Sequence, residues 1–148
     1  MQKTQIRVKK LRENAKQPTY GTEFAAGADL YAVTDGTVEI APGETKFIPT
    51  GYAYEIPEGL VGLIYARSSL GCKQGLAPAN KVGVIDSDYR GEIMVALHNH
   101  SNETRRVENG DRIAQIVFAP FYQAGFLEVD ELEESKRGQG GFGSTGKK

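Results

Sequence analysis

Three short clusters in this chain combine side chains that bind phosphate or move protons. The first, Ala66-Arg67-Ser68-Ser69-Leu70-Gly71, places a guanidinium and two hydroxyls directly after the apolar run from Leu60 to Tyr65, where a short, serine-capped helix over 68–74 is expected to begin. Arginine forks, hydroxyls and unpaired helix-start amides all match phosphate oxygens. On the hexapeptide alone, a capping serine beside an exposed arginine is the simpler account. The second cluster, Gly83-Val84-Ile85-Asp86-Ser87-Asp88-Tyr89-Arg90-Gly91, runs a strand into a polar turn and sets Asp86 straight after two apolar residues. An acid at a strand end can be aimed at a water as a general base, although a hairpin whose Asp and Gly residues serve only the turn explains the same residues. Just upstream, Asn80 and the backbone of the incoming strand offer a paired donor and acceptor edge of the kind that reads a base. The third cluster is Arg137 to Gly146, where Phe142 is the lone aromatic among five glycines and Arg137, Ser144 and Thr145 carry phosphate-binding groups. Its composition is that of a disordered segment. Over a bound nucleotide, its amides would form an anion nest while Phe142 stacks on a base.

Two further patterns carry less. Gly141 to Lys147 spells G-x-x-x-x-G-K, but Lys148 follows in place of the Ser or Thr that a P-loop needs. His98 and His100 alternate on a strand and share a face, yet the chain has no other histidine, and zinc ordinarily takes more ligands. Without a G-x-S-x-G, a serine triad has no support either. Cys72 is the only cysteine, so no intrachain disulfide forms, which suits a reducing compartment.

The elements that must hold these clusters read as strands. Ile6 and Val8, Val38 and Ile40, Tyr52, Tyr54 and Ile56, and Ile93, Val95 and Leu97 each alternate with other residues between turn signals. The near-continuous runs Leu60 to Tyr65 and Ile113 to Phe118 are expected to lie deep. Recurrence of such segments every 8 to 12 residues or so predicts an all-β sandwich or barrel. The 148 residues fit one domain. We expect it to span 1–134, with 135–148 a flexible glycine-rich lid after the acidic stretch Glu128 to Glu134. A net charge of -1 argues against nucleic-acid binding by the whole domain, so any phosphate binding must be local. The basic start lacks the apolar stretch of a signal peptide and no run is long enough to cross a bilayer. A protein that stays in the cytoplasm, or in the host cytoplasm or nucleus if the source is viral, is expected.

Together the clusters resemble the motifs of the trimeric deoxyuridine triphosphate pyrophosphatase (dUTPase) family. Five segments carry the resemblance in order: AGADLYA from Ala26, ARSSLG from Ala66, GVIDSDYRGE from Gly83, NGDRIAQIVF from Asn109 and RGQGGFGSTG from Arg137. Two positions depart from the common pattern. Ala28 stands where many members have a larger residue, and Ala66 where a proline often precedes the arginine; neither removes a functional group.

The resemblance implies a jelly-roll-like β-barrel or sandwich of the β-clip type. It implies a homotrimer whose sites form at subunit contacts and are closed by the tail of another subunit. It implies hydrolysis of dUTP to dUMP and pyrophosphate with Mg2+, which limits uracil in DNA and supplies dUMP for thymidylate synthesis. By matching position, Asp86 would activate the water and Asp29 would act through metal-bound water. Arg67, Ser68, Ser69 and Gln115 would hold phosphates, Arg137, Ser144 and Thr145 would complete the shell at the γ end, and Gly71 and Gly143 would also contact the substrate. Asn80, Gly83 and Val84 would read uracil, Tyr89 would lie beneath the sugar and exclude a 2′-hydroxyl, and Phe142 would cover the base. A related deoxycytidine triphosphate deaminase shares the fold, but the complete tail and the Asp86 hairpin favour the pyrophosphatase. A regulator that binds dUTP to switch a partner is the other alternative, and no inserted domain between motifs supports it.

Overall fold

The computed structural model describes residues 4–141. Its strands build two main antiparallel sheets and a small ribbon. One sheet has the order β1 (Arg7–Lys10), β5 (Thr45–Glu55), β9 (Glu92–Asn99), β7 (Leu76–Pro78). The other runs β2 (Thr19–Tyr20), β3 (Ala28–Tyr31), β11 (Arg112–Pro120), β6 (Leu60–Tyr65), β8 (Gly83–Ile85). β4 (Val38–Ile40) and β10 (Arg105–Val107) form the ribbon. The single helix among the described residues, α1 (Ser68–Gln74), links β6 to β7.

Alternation sets the core. On β9, Ile93, Val95, Leu97 and Asn99 point inward while Glu92, Met94, Ala96 and His98 face out. Leu30, Ile40, Ile48, Leu76, Ile113 and Ile116 meet the inward face of β9 in one cluster, each fully buried. Each such side chain contributes roughly 1.5–3 kcal/mol by leaving water, and truncating Ile116 to Ala would cost roughly 2–5 kcal/mol. β6 and β11, expected to lie deep, instead mix buried with half-buried positions, and β11 has exposed ends, because they pair with each other in mid-sheet and only one face meets the core.

Two polar devices, the first of them buried, hold the sandwich's corners. Asn99 Nδ2 donates to the carbonyls of Ile40 and Glu103 at 2.8 Å each, tying the end of β9 to the ribbon. On β5 the ladder shifts between Pro49 and Ala53, where Gly51 has φ 73° and a Cβ would strike that of Ala15. This bulge bends β5 so that it serves both β1 and β9. The Gly51 amide and Arg12 Nε both donate to Glu92 Oε1 at 2.9 Å, and Arg12 Nη2 donates to Oε2 at 3.1 Å.

Candidate active site

The five-stranded sheet gathers residues that are far apart in sequence. β11 lies between β3 and β6, so Gln115 pairs with Asp29 on one side and Tyr65 on the other. Directly past Tyr65 the chain turns through Ala66 and Arg67 into α1. Gln115 Nε2 donates to the Ala66 carbonyl at 2.9 Å and so fixes the peptide just before Arg67. A Cβ on Gly27 would collide with Gln115 Oε1, so the absence of a side chain there lets the amide lie where it does.

Asp29 is 9% exposed and bridges two arginines. Its Oδ1 accepts from Arg67 Nε at 2.7 Å and its Oδ2 from Arg112 Nη1 at 3.2 Å. Arg67 Nη1 also donates to the Arg112 carbonyl at 3.4 Å. Arg67 is thereby held on two sides, and its Nη2 has no partner among the described residues. It lines a cavity of about 220 Å³ whose walls include Ser69, Gln74, Arg106 and Arg112. Asp111 also lines the cavity and Arg106 is paired with Glu39 at 3.0 Å, which leaves Arg67 and Arg112, both bridged by Asp29, as the guanidinium donors at its wall. Such a preorganised fork suits phosphate oxygens.

α1 begins where the sequence places it, but the expected serine cap is absent. Arg67, with extended backbone, occupies the N-cap and makes no side-chain cap bond, while Ser68 is already the first helical residue. Both Ser68 and Ser69 are exposed. Gly71 is half-buried, and a Cβ there would make only ordinary contacts, 3.5 Å from Ala66 Cβ.

The second group of residues surrounds the hairpin between β8 and β9. Asp86 follows β8, is exposed, and lines a cavity of about 350 Å³ with Tyr89, Val84, Phe47 and Met94. Arg90 Nη1 donates to the carbonyls of Ser87 at 2.6 Å and Tyr89 at 3.0 Å, which closes the turn. An adjoining cavity of about 120 Å³ shares Phe47, Val84 and Met94 and adds Asn80 and Gly83. Asn80 is presented by a tight turn in which Val82 N donates to the Asn80 carbonyl at 2.7 Å and Lys81 takes a left-handed φ of 64°. At Gly83 a Cβ would lie 3.2 Å from Ile64 Cβ and 3.4 Å from Asn80 Nδ2, closer than most real contacts. β8 pairs only with β6 and forms the sheet's edge, so its other side presents backbone groups that the ladder does not use.

One chain does not bring the two groups together. Gly62 pairs with Ile85 and Ile64 with Gly83, so Asp86 lies beyond Gly62, towards the start of β6. Arg67 leaves from the opposite end. From the level of Val61 to Tyr65 is roughly 13 Å of strand, at about 3.3 Å per residue. Arg137 is exposed, and its Nε donates within its own turn to the Gly140 carbonyl at 2.8 Å. Phe142, Gly143, Ser144 and Thr145 lie outside the described residues.

Sequence reasoning missed Phe47 and Met94, which line both hairpin cavities, and Arg112. A signal existed for Met94, since it is an apolar residue on the outward phase of an alternating strand. His98 and His100 do share a face, with ring centroids 4.3 Å apart, and His98 Nδ1 is hydrogen-bonded to Thr45 Oγ1 at 2.8 Å. No group of three metal-ligating side chains stands together among the described residues, and no described helix is long and apolar enough to cross a membrane.

The family model for dUTPase matches residues 13–146. The chain belongs to the dUTPase family. It is 51% identical over 142 residues to the deoxyuridine 5′-triphosphate nucleotidohydrolase of Nautilia profundicola, covering 96% of this chain and 99% of that one. The Desulfitobacterium hafniense protein of the same name is 54% identical over 132 residues, covering 88% and 87%. Among solved structures, the Staphylococcus bacteriophage 80alpha dUTPase with dUPNHPP superposes with a TM-score of 0.89 at 31% identity, covering 97% of this chain and 99% of that one. This likeness bears out the all-β, jelly-roll-like fold expected of the family, built here as an open sandwich rather than a closed barrel.

Proposed function

We propose that the chain hydrolyses dUTP to dUMP and pyrophosphate. The observation that carries this reading is the Asp29-locked Arg67, set beside an arginine-lined cavity in a chain of the dUTPase family. Relatives that share half its sequence are named for that activity.

In this reading a water oxygen bonds to the α-phosphorus, the bond from that phosphorus to the oxygen bridging to the β-phosphorus breaks, and pyrophosphate leaves. Asp86 orients the water and takes its proton. Arg67, Ser68, Ser69, Gly71 and Gln115 hold the phosphates, and Arg137, Gly143, Ser144 and Thr145 close over the γ end. Asn80, Gly83 and Val84 pair with uracil along the free edge of β8, where cytosine would leave buried polar groups unmatched. Phe47 and Met94 form the apolar floor of that groove, Tyr89 packs under the deoxyribose, and Phe142 covers the base.

Two observations support assembly as a homotrimer, the state the family resemblance implies. Asp86 and Arg67 lie at opposite ends of β6, so a complete site needs the hairpin of one chain and the arginine of another. The segment from Phe121 to Leu132 leaves the body with Tyr122, Phe126, Leu127 and Leu132 each at least 85% exposed, which suits an arm laid on a neighbouring subunit and delivering its tail there.

The donor set fits magnesium held mostly by phosphate and water. Both oxygens of Asp29 already accept a guanidinium proton, and each keeps one acceptor site for metal-bound water. When bound, the ion would neutralise triphosphate charge. A phage phi11 dUTPase of related fold, TM-score 0.80 at 27% identity, is described with a structural Mg(II) ion. We place the activity in the cytoplasm, where nucleotide pools lie, or in the host cell if the source is viral.

The test is pyrophosphate release from dUTP, dCTP, dTTP and UTP in parallel, with magnesium and with excess EDTA. Release from dUTP alone, weakened by EDTA, is expected. Ammonia release from dCTP, or no turnover of any nucleotide, would overturn the assignment.

A further inference from the structure

Asp29 is buried, and a buried carboxylate persists only where its charge is paired. Arg67 Nε satisfies one oxygen at 2.7 Å, and the other is satisfied by Arg112, a residue outside the predicted site. We propose that Arg112 is a positioning residue of the phosphate site, acting through Asp29 to fix the guanidinium of Arg67.

The backbone supports this reading independently. From Ala114 onward β11 keeps strict register with β3, Gln115 opposite Asp29 and Ala114 opposite Leu30. That register would set Arg112 on the same face as Ala114, away from Asp29. Instead the ladder shifts between Arg112 and Ala114, and Arg112 pairs with Tyr31. Tyr31 is two residues from Asp29 and shares its face, so the bulge turns Arg112 towards the carboxylate. Bulges next to working sites re-aim side chains in this way.

The same turn brings the Arg112 carbonyl to Arg67 Nη1 at 3.4 Å. Arg112 therefore restrains Arg67 twice, by its main chain directly and by its side chain through Asp29. A guanidinium locked along Nε and one Nη edge presents its remaining Nη to the cavity in one orientation, and little side-chain entropy is left to lose when a polyphosphate binds.

The identity of the nucleotide rests on the function proposed above, but the bridge itself does not. It is tested by titrating the full-length protein with inorganic triphosphate in a double-mutant cycle of Arg67→Met and Arg112→Met. Action through Arg67 predicts that Arg112→Met weakens triphosphate binding about tenfold when Arg67 is present and less than about twofold when it is absent. Arg112→Lys, which can still donate to Asp29, should recover most of the loss, and deoxyuridine affinity at the hairpin should hold. Equal loss in both backgrounds would make Arg112 a direct phosphate contact and overturn the proposal. So would unchanged triphosphate binding, or a parallel loss of deoxyuridine affinity. Where Arg112→Met does not fold, Arg112→Ala, which likewise has no donor for Asp29, takes its place in the cycle. A protein that binds triphosphate with this coupling but releases no pyrophosphate from dUTP would refute the function and leave the bridge standing.

Discussion

The ring of Tyr89 occupies the space that a Cβ on Gly91 would need, and its hydroxyl donates to the Glu92 carbonyl at 3.1 Å. The hairpin thus holds its aromatic against its own backbone, at the edge of the cavity that also contains Asp86.

Adding one methyl group at Gly91 should displace the ring. Gly91→Ala is expected to cost roughly 1–3 kcal/mol in stability through overpacking and to lower the ratio of kcat/KM for dUTP over UTP. Kinetics with the two nucleotides measure this, and an unchanged ratio would place sugar selection away from Tyr89.

Asp86→Asn should still bind dUTP while losing about a hundredfold or more of its turnover, the usual contribution of a general base. Because Asp86 and Arg67 stand at opposite ends of β6, an inactive Asp86→Asn chain and an inactive Arg67→Met chain should complement each other on co-refolding. In an equimolar mixture, random assortment restores both groups in roughly a quarter of all sites. No recovery in the mixture would argue for a site within one chain.

Removing everything after Lys136 deletes Arg137 and the glycine-rich segment but no residue of the core. The shortened chain should keep its melting temperature and its oligomeric size while hydrolysis falls by about a hundredfold, as when electrostatic donors are removed from a reacting centre. Full activity in the truncated protein would reduce the tail to a spectator.

Acid should weaken the corner where Glu92 meets Arg12 and Gly51. The hydrogen bond from Arg12 holds the Glu92 carboxyl below its ordinary value of 4.5, with help from the Gly51 amide and against partial desolvation. A depressed folded-state pKa means that its stabilisation is complete above the unfolded value and is lost as pH falls through the folded value. Arg12→Gln should therefore lower the melting temperature at neutral pH, and the gap to wild type should close at strongly acid pH. A gap independent of pH would show that Arg12 acts by packing rather than by charge.

Much of this protein was legible in its residues. Strand alternation fixed the core side of β9, the apolar run Leu60 to Tyr65 announced β6, and Arg67 followed by two serines marked the helix that begins at Ser68. These are local facts, set by steric preference and by which side chains must leave water. The five ordered motifs then pointed to the family, and the match over residues 13–146 agreed.

Only the tertiary structure decided which local pieces meet. The placement of β11 between β3 and β6 brings Gln115 beside Asp29 and Tyr65, and a one-residue shift before Ala114 turns Arg112 towards a carboxylate 83 residues away in sequence. The separation of Asp86 from Arg67 along β6 was equally invisible, although both motifs were plain to read. Pairing order and register arise from long-range competition among strands for partners and for one buried face. A single slip changes which side chains share a face, and no short stretch of sequence records the outcome.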